Sequence, residues 1–244
     1  MASAAADDRP LSGQVALVTG ASRGIGAATA AALAAAGAHV ILTARDTKRL
    51  EVVEEAIFAA GGSATIAPVD LTEPEGIARL AAALGQRWPA LDLLVLAAAS
   101  FPPLTPVVQL DSREFNRTLT LNLMAQQALL AHCDAQLKRS ANARVIALTS
   151  SVGQRPRAYW GAYAASKAAL EALLVAYAEE TRATSKIRVA IVDPGATRTA
   201  MRARAYPGED PASVKPPETV AARIVALAGE AFATGHRERV DEAP

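Results

Sequence analysis

Short apolar runs rich in β-branched residues recur along the chain, with longer stretches of helical period between them. VALVT at 15–19, HVILTA at 39–44, SATIAPV at 63–69, LDLLVLA at 91–97, ARVIALTS at 143–150 and IRVAIVD at 187–193 read as six strands. Such near-continuous apolar strands are covered on both faces, which is the condition of a parallel sheet with helices above and below. Right-handed crossovers then wind the chain into a doubly wound α/β fold of the Rossmann type. A seventh strand is only faintly indicated, because the segment ATGHRERVDEAP at 233–244 is polar and charged with no apolar run.

Helix boundaries agree with this alternation. Asp46 and Thr72 stand where N-caps are expected, Asp111 with Glu114 forms a capping-box pattern, and Gly37 and Gly61 follow helix ends. The proline-rich places, FPPLTP at 101–106 and the region 206–217, read as loops. With no repeat, linker or charge block, residues 11–244 read as one Rossmann-type domain, preceded by a disordered tail at 1–10. That tail, MASAAADDRP, has two aspartates and no basic start before an apolar core, so no secretory leader is expected in it.

Composition narrows the function. Lysine and arginine total 25 against 24 aspartates and glutamates, which leaves no net field for a polyanion, and nucleic acid is excluded as a partner. Only His39 is ionisable between Gly24 and Ala44, but that stretch is mostly alanine and glycine, so no membrane span is expected. A lone cysteine, Cys133, excludes an internal disulfide framework, and three scattered histidines give no metal-ligand pattern. A reducing, cytoplasmic setting fits.

The first chemical signal follows the first strand directly. TGASRGIG, Thr19 to Gly26, places Gly20, Gly24 and Gly26 between a strand and a helix. A pyrophosphate needs backbone N–H groups and the positive end of a helix, and side chains at the contact points would hold it away. At the end of the second strand, an acidic residue would bind a ribose 2′-hydroxyl, whereas this chain has Ala44 and Arg45. Arg45 and Arg23 can fork onto a 2′-phosphate, which favours NADP(H). Asp46 is the rival ribose ligand, with capping of the next helix as its other role. Asp70, closing the third strand, resembles an aspartate that contacts adenine in a known family of such folds, and as a lone residue it equally suits capping of a turn.

The second signal is YAASK. Tyr163 and Lys167 are four residues apart and share a helix face, and Ser150 ends the fifth strand, at the edge where open α/β sheets assemble ligand sites. A phenol with a reference pKa near ~10 is a poor base at neutral pH, and a neighbouring ammonium is expected to lower that value. Ser150 would hold a substrate oxygen within reach of Tyr163 while hydride passes to or from a nicotinamide.

In joint order, TGASRGIG, Asn122 in LTLNLM, Ser150, Tyr163 with Lys167, and Pro194-Gly195 with Thr199 resemble the compact branch of the short-chain dehydrogenase/reductase family over about residues 12 to 230. The resemblance implies a catalytic group of Asn122, Ser150, Tyr163 and Lys167, with Asn122 kinking its helix and holding a water that relays protons to Lys167. It implies a cofactor-binding set of Gly20, Ser22, Arg23, Gly24, Ile25, Gly26, Arg45, Asp70, Leu71, Ala97, Lys167, Pro194, Gly195, Thr197 and Thr199, the last touching the nicotinamide carboxamide. It also implies a homodimer or homotetramer and a ketone or secondary alcohol as substrate. PGATRTAMRARAYPGEDP is similar to a bacterial subgroup of oxidoreductases without an assigned substrate.

The chain departs from the family after the fourth strand, where Leu96-Ala97-Ala98-Ala99 replaces the usual Asn-Asn-Ala-Gly. That departure motivates a second reading, a non-catalytic NADP(H)-binding sensor or assembly protein. A third, a sugar-nucleotide epimerase or dehydratase, needs more chain after Gly195 than is present. Phe101 to Pro106, Arg155 to Trp160 and Met201 to Tyr206 are expected to wall the substrate site, with Trp160 either stacking on a substrate ring or filling space.

Overall fold

The computed structural model describes residues 9–241. In chain order its main elements are β1 (Val15–Thr19), α1 (Gly24–Ala35), β2 (His39–Thr43), α2 (Thr47–Ala59), β3 (Ser63–Ile66), α3 (Pro74–Arg87), β4 (Leu93–Leu96), α4 (Ser112–Leu119), a π turn (Thr120–Met124), α5 (Ala125–Arg139), β5 (Arg144–Leu148), α6 (Ser151–Gln154), α7 (Gly161–Arg182), β6 (Arg188–Asp193), α8 (Ala200–Ala205), α9 (Pro217–Gly229) and β7 (His236–Arg239). The strands form one parallel sheet in the order β3-β2-β1-β4-β5-β6-β7. The order reverses between β1 and β4, so the loops leaving those two strands part to opposite faces and open a crevice at the carboxyl edge.

Alternate strand residues feed two cores. Ala16, Val18, Val40, Val95 and Val192 pack with Leu33 of α1, Leu50 of α2 and Ile224 of α9. Leu17, Ile41, Leu94, Val145 and Ile191 face the other way, onto Leu80 of α3, Leu129 and Cys133 of α5, and Leu170 and Leu174 of α7. Burial alone pushes the Cys133 thiol up to about 12, so it is an inert piece of that core. No helix among the described residues is long and apolar enough to cross a membrane.

The six expected strands are present, β1 with the bounds expected and the other five shorter by one to three residues. β3 stops at Ile66, ahead of Pro68, although Ala67 N and Val69 N still donate to Leu42 O and Ala44 O. The faint seventh strand is fully formed, pairing Ala190 to Asp193 with His236 to Arg239. Its side chains, HRER, are those of an edge strand, where charge blunts an exposed ladder.

The caps follow expectation at Asp46, which accepts from Arg49 N, and at Asp111, which accepts from Arg113 N and Glu114 N. Thr72 is a correction. Glu73 holds the N-cap position of α3, and Thr72 instead gives its N–H and hydroxyl to Asp70 Oδ1 at 2.9 and 2.7 Å. The tail expected at 1–10 lies outside the described residues except for Arg9 and Pro10. Arg9 donates to Ala34 O, next to the Leu11 N to Ala36 O bond that anchors the chain at the end of α1.

Candidate active site

At the mouth of β1 the backbone turns through two left-handed glycines, Gly20 at φ 67° and Gly24 at φ 57°. Space reinforces conformation at Gly26, where a Cβ would lie 2.3 Å from Gly20 O, and at Gly20, where one would lie 2.9 Å from Ala98 Cα. Arg23 occupies the N-cap of α1 without a side-chain cap bond, and the first turn carries no acidic residue. The helix therefore presents unsatisfied N–H groups and its positive end to the crevice. Ser22 and Ile25 are half-buried in this loop and Arg23 is exposed.

Thr19 joins the cradle to β4. Its hydroxyl oxygen accepts from Ala97 N at 2.9 Å and Ala98 N at 3.0 Å and donates to Val95 O. These ties use only backbone groups of Val95, Ala97 and Ala98, so the departure from Asn-Asn-Ala-Gly leaves them intact.

Arg45 leaves the end of β2 and lies 3.7 Å from Asp70. Burial works to raise the Asp70 pKa, but the two Thr72 hydrogen bonds and the Arg45 charge outweigh it, and the result is lowered. Asp70 thus caps its own turn, and Leu71 beside it is buried in the core. On the far wall, Gly195 takes φ 63° against Lys215 Nζ and Val240 O, each 2.9 Å from where a Cβ would be, and follows Pro194 out of β6. The Thr197 hydroxyl donates to Pro194 O, while Thr199 caps α8 by accepting from Arg202 N, its methyl 3.4 Å from where a Gly24 Cβ would be. The structure thus brings the glycine loop and the Thr199 segment together across the crevice.

Of the expected proton-transfer group, Tyr163 and Lys167 lie in the first two turns of α7, Asn122 is bonded to Ser166 of that helix, and Ser150 follows the end of β5, which Lys167 reaches. Ser150 holds the N-cap position of α6 but makes no cap bond. Asn122 lies in the π turn, where Ala125 N donates to Thr120 O, and is fully buried. Its Oδ1 accepts Ser100 N at 2.7 Å, and its Nδ2 donates to Ser100 O and to Ser166 Oγ, both at 3.0 Å. Asn122 therefore staples the loop after β4 to α7, one residue before Lys167.

Lys167 is buried, donates from Nζ to Leu148 O at 2.9 Å and lies 5.8 Å from the Tyr163 ring centroid. Burial lowers its pKa to about 8, with Glu171 opposing the fall. Tyr163 differs from expectation. Its hydroxyl titrates above the ordinary phenol range, not below it, because burial and then the Asp193 charge both favour the neutral form.

The cause of that burial is the cluster of side chains expected to wall the substrate site. Phe101 and Trp160 pack edge-on at 5.1 Å, Phe101 and Tyr163 at 5.2 Å, and Met201 Sδ stands 4.0 Å from the Tyr163 oxygen. Trp160 continues to Tyr206 at 5.7 Å, so it fills space between neighbours. Three nearby arginines have partners: Arg157 on the Tyr206 hydroxyl, Arg202 on Glu209 and Arg204 on Phe101 O. Sequence reasoning missed the Met201 contact, Ser166 and the buried Glu171. Only Glu171 had a visible signal, its place one and two turns beyond Lys167 and Tyr163 on one helix face.

Comparison with known proteins gives a consistent outcome. Residues 14–210 match the family model described as short chain dehydrogenase. The chain is 33% identical over 223 residues to the uncharacterized oxidoreductase YciK of Escherichia coli K12, spanning 90% of this chain and 88% of that one. Among solved structures, a short chain dehydrogenase from Salmonella enterica serovar Typhi superposes with a TM-score of 0.91 at 31% identity, covering 95% of this chain and 97% of that chain. A metagenomic short-chain oxidoreductase in complex with NADP superposes with a TM-score of 0.83 at 34% identity, covering 95% and 97%.

Proposed function

The chain belongs to the short chain dehydrogenase family, and from that premise we propose that it is an NADP(H)-dependent oxidoreductase acting on a ketone or secondary alcohol, with Tyr163 as general acid and base. The observation that carries the reading is the buried Lys167, set beside Tyr163 and bonded to Leu148 O at the end of the strand that leads to Ser150, in a fold whose glycine cradle has no room for side chains. NADP(H) is supported by Arg45 and Arg23 at the positions suited to a 2′-phosphate, by the lack of an acidic residue at Ala44, and by the relative solved with NADP.

A nicotinamide held by the glycine loop, Arg45 and the Thr199 segment would supply the hydride and be oxidised, or accept it and be reduced. In the reductive direction the carbonyl carbon gains that hydride, the C=O π bond breaks toward oxygen, and the Tyr163 hydroxyl gives its proton to that oxygen. The ketone leaves as the alcohol, and solvent restores the proton to Tyr163. A neutral phenol is the form this direction requires, so its raised pKa keeps the acid loaded. Ser150, whose hydroxyl is not committed to a cap, donates to the carbonyl oxygen and orients it. The Lys167 ammonium stabilises the phenolate left behind, and Asn122 holds the π turn and Ser100 in place around the pair.

The wall of Phe101, Trp160 and Met201, with Arg157, Arg202 and Arg204 already partnered, suits a neutral apolar carbonyl. A cytoplasmic homodimer or homotetramer is the accompanying assembly, with exposed Met124 and Leu173 on the helices available to a second copy. The test is NADPH oxidation against a panel of cyclic ketones, aryl ketones and β-ketoacyl thioesters, comparing the native chain with Tyr163→Phe. Turnover by the native chain and loss of at least about a hundredfold in the variant are expected; equal turnover by both sinks the mechanism.

A further inference from the structure

Among the described residues Glu171 is the only buried carboxylate, at 4% exposure. It follows Lys167 by one turn of α7 and is gripped from three other elements. Its Oε1 accepts the hydroxyl of Thr149, the residue that precedes Ser150 at the end of β5. Its Oε2 accepts the Gln154 amide of α6 at 3.2 Å and a guanidinium N–H of Arg237 from β7. Gly153 lets α6 come this close, since a Cβ there would sit 3.1 Å from Glu171 Oε1 and 3.3 Å from the Lys167–Ala168 backbone. The turn that begins at Ser150 is thus clamped to the helix bearing Tyr163 and Lys167 through one carboxylate.

Stability does not explain the choice. A buried ion pair returns little beyond its own desolvation, and an apolar side chain would fill the site as well. A carboxylate does two things an apolar residue cannot: it orders hydroxyl and amide donors from two elements around one point, and it places a negative charge one turn from a buried ammonium.

We propose that Glu171 is a positioning residue for proton transfer, fixing the Ser150 strand end against α7 and sustaining the Lys167 charge, with Arg237 holding the carboxylate in place. The proposal rests on the roles given above to Ser150, Tyr163 and Lys167. The charged or titratable groups around it are Lys167 on its own helix, Arg237 on β7, Tyr163 one turn beyond Lys167, and Asp193 at the end of β6, whose charge acts on Tyr163. Burial draws the Lys167 pKa down and Glu171 draws it up. Neutralising Glu171 lets Lys167 lose its proton at lower pH, while removing the Arg237 charge does the reverse.

The experiment is the pH dependence of kcat for NADPH oxidation from about pH 6 to 10, with whichever carbonyl of the panel the native chain turns over fastest. The variants are Glu171→Gln, Glu171→Asp and Arg237→Met, each with its NADPH affinity measured by fluorescence. The alkaline limb is expected to move to lower pH by roughly half a unit or more in Glu171→Gln, with kcat at pH 8 down about tenfold, and to higher pH in Arg237→Met. Glu171→Asp should return the limb toward its native position, and NADPH affinity at pH 6.5 should stay within about threefold throughout.

Damage to the fold cannot move the limb in opposite directions in two variants. If Glu171→Gln does not fold, Arg237→Met and Glu171→Asp still carry the test. Limbs that coincide with the native one overturn the proposal whatever happens to the rate. Should Tyr163→Phe turn over like the native chain, or the native chain reduce no carbonyl in the panel, the reading of the site falls and this inference falls with it. A dead Tyr163→Phe beside an unmoved limb removes Glu171 alone.

Discussion

Met201 Sδ lies 4.0 Å from the hydroxyl oxygen of Tyr163, so the short helix α8 covers the group proposed to carry the proton. On the proposed mechanism a carbonyl oxygen has to reach the same hydroxyl, and the thioether narrows its approach. Met201 is only half-buried and is flexible, which makes it easy to displace.

Met201→Ala should therefore uncover Tyr163 at modest cost. Stability is expected to fall by about 1 kcal/mol, since only part of the side chain leaves the core. KM for bulky ketones should fall severalfold. The Tyr163 pKa should drift down toward its ordinary value, because burial is the leading cause of its elevation. Steady-state kinetics with aryl ketones and a urea titration check this; unchanged KM and an unchanged pH profile would mean that Met201 does not gate the site.

Two glycines make an internal control for the cradle. Gly26→Ala forces a Cβ to within 2.3 Å of Gly20 O, a backbone atom with no room to retreat. The expected result is a loss of about 2 kcal/mol or more, or a distorted loop that no longer binds NADPH. Gly208→Ala has nothing within 4 Å and should stay within about 0.5 kcal/mol of native. Comparable melting temperatures and comparable NADPH binding for the two would show that the close approach in the loop is not real.

The fold was legible because a parallel sheet buried on both faces writes itself as apolar runs, and VALVT or RVIAL admits few other readings. HRER was not legible as a strand, because an edge strand is defined by its neighbour β6 and by the need to repel other edges, neither of which leaves an apolar pattern. The site divides in the same way. Gly20, Gly24 and Gly26 were readable because the backbone demands them, and Tyr163 and Lys167 because helical spacing puts them on one face. Covering of the Tyr163 hydroxyl by a residue 38 positions later depends on the path of the chain after Pro194, which no local rule fixes. The raised pKa of Tyr163 was missed for that reason.

Cofactor preference tests Arg45. Its guanidinium is exposed and stands 3.7 Å from Asp70, so Arg45→Asp removes a cation and sets a second carboxylate beside the first. NADPH affinity should fall by about tenfold to a hundredfold, the loss of one or two charge-assisted bonds of about 1.5–3 kcal/mol each, offset by solvent exposure. NADH, without the 2′-phosphate, should bind nearly as before. Fluorescence titration of both nucleotides decides it, and an unchanged ratio of affinities would assign the 2′-phosphate elsewhere, with Arg23 next to be examined.

The buried Lys167 should leave a mark on stability against pH. Its pKa falls from 10.5 to about 8 on folding, so between those values the unfolded chain binds more protons than the native one. Stability then rises with pH across that window, and below pH 8 the native state carries the full cost of charging a buried ammonium. From pH 7 to 9.5 this residue alone should add about 2 kcal/mol, at 1.36 kcal/mol per unit above the folded pKa. Lys167→Met removes the titrating group, and its unfolding free energy should lack that rise while NADPH-dependent turnover is lost. The comparison cancels the opposite, destabilising trend from Tyr163 and Tyr177, whose raised pKa values act only at higher pH. Urea unfolding of the native chain and of Lys167→Met at pH 7 and 9.5 gives the four values needed. Parallel pH dependence in the two would mean that Lys167 is hydrated in solution, and the phenolate it is proposed to stabilise would lose its neighbour.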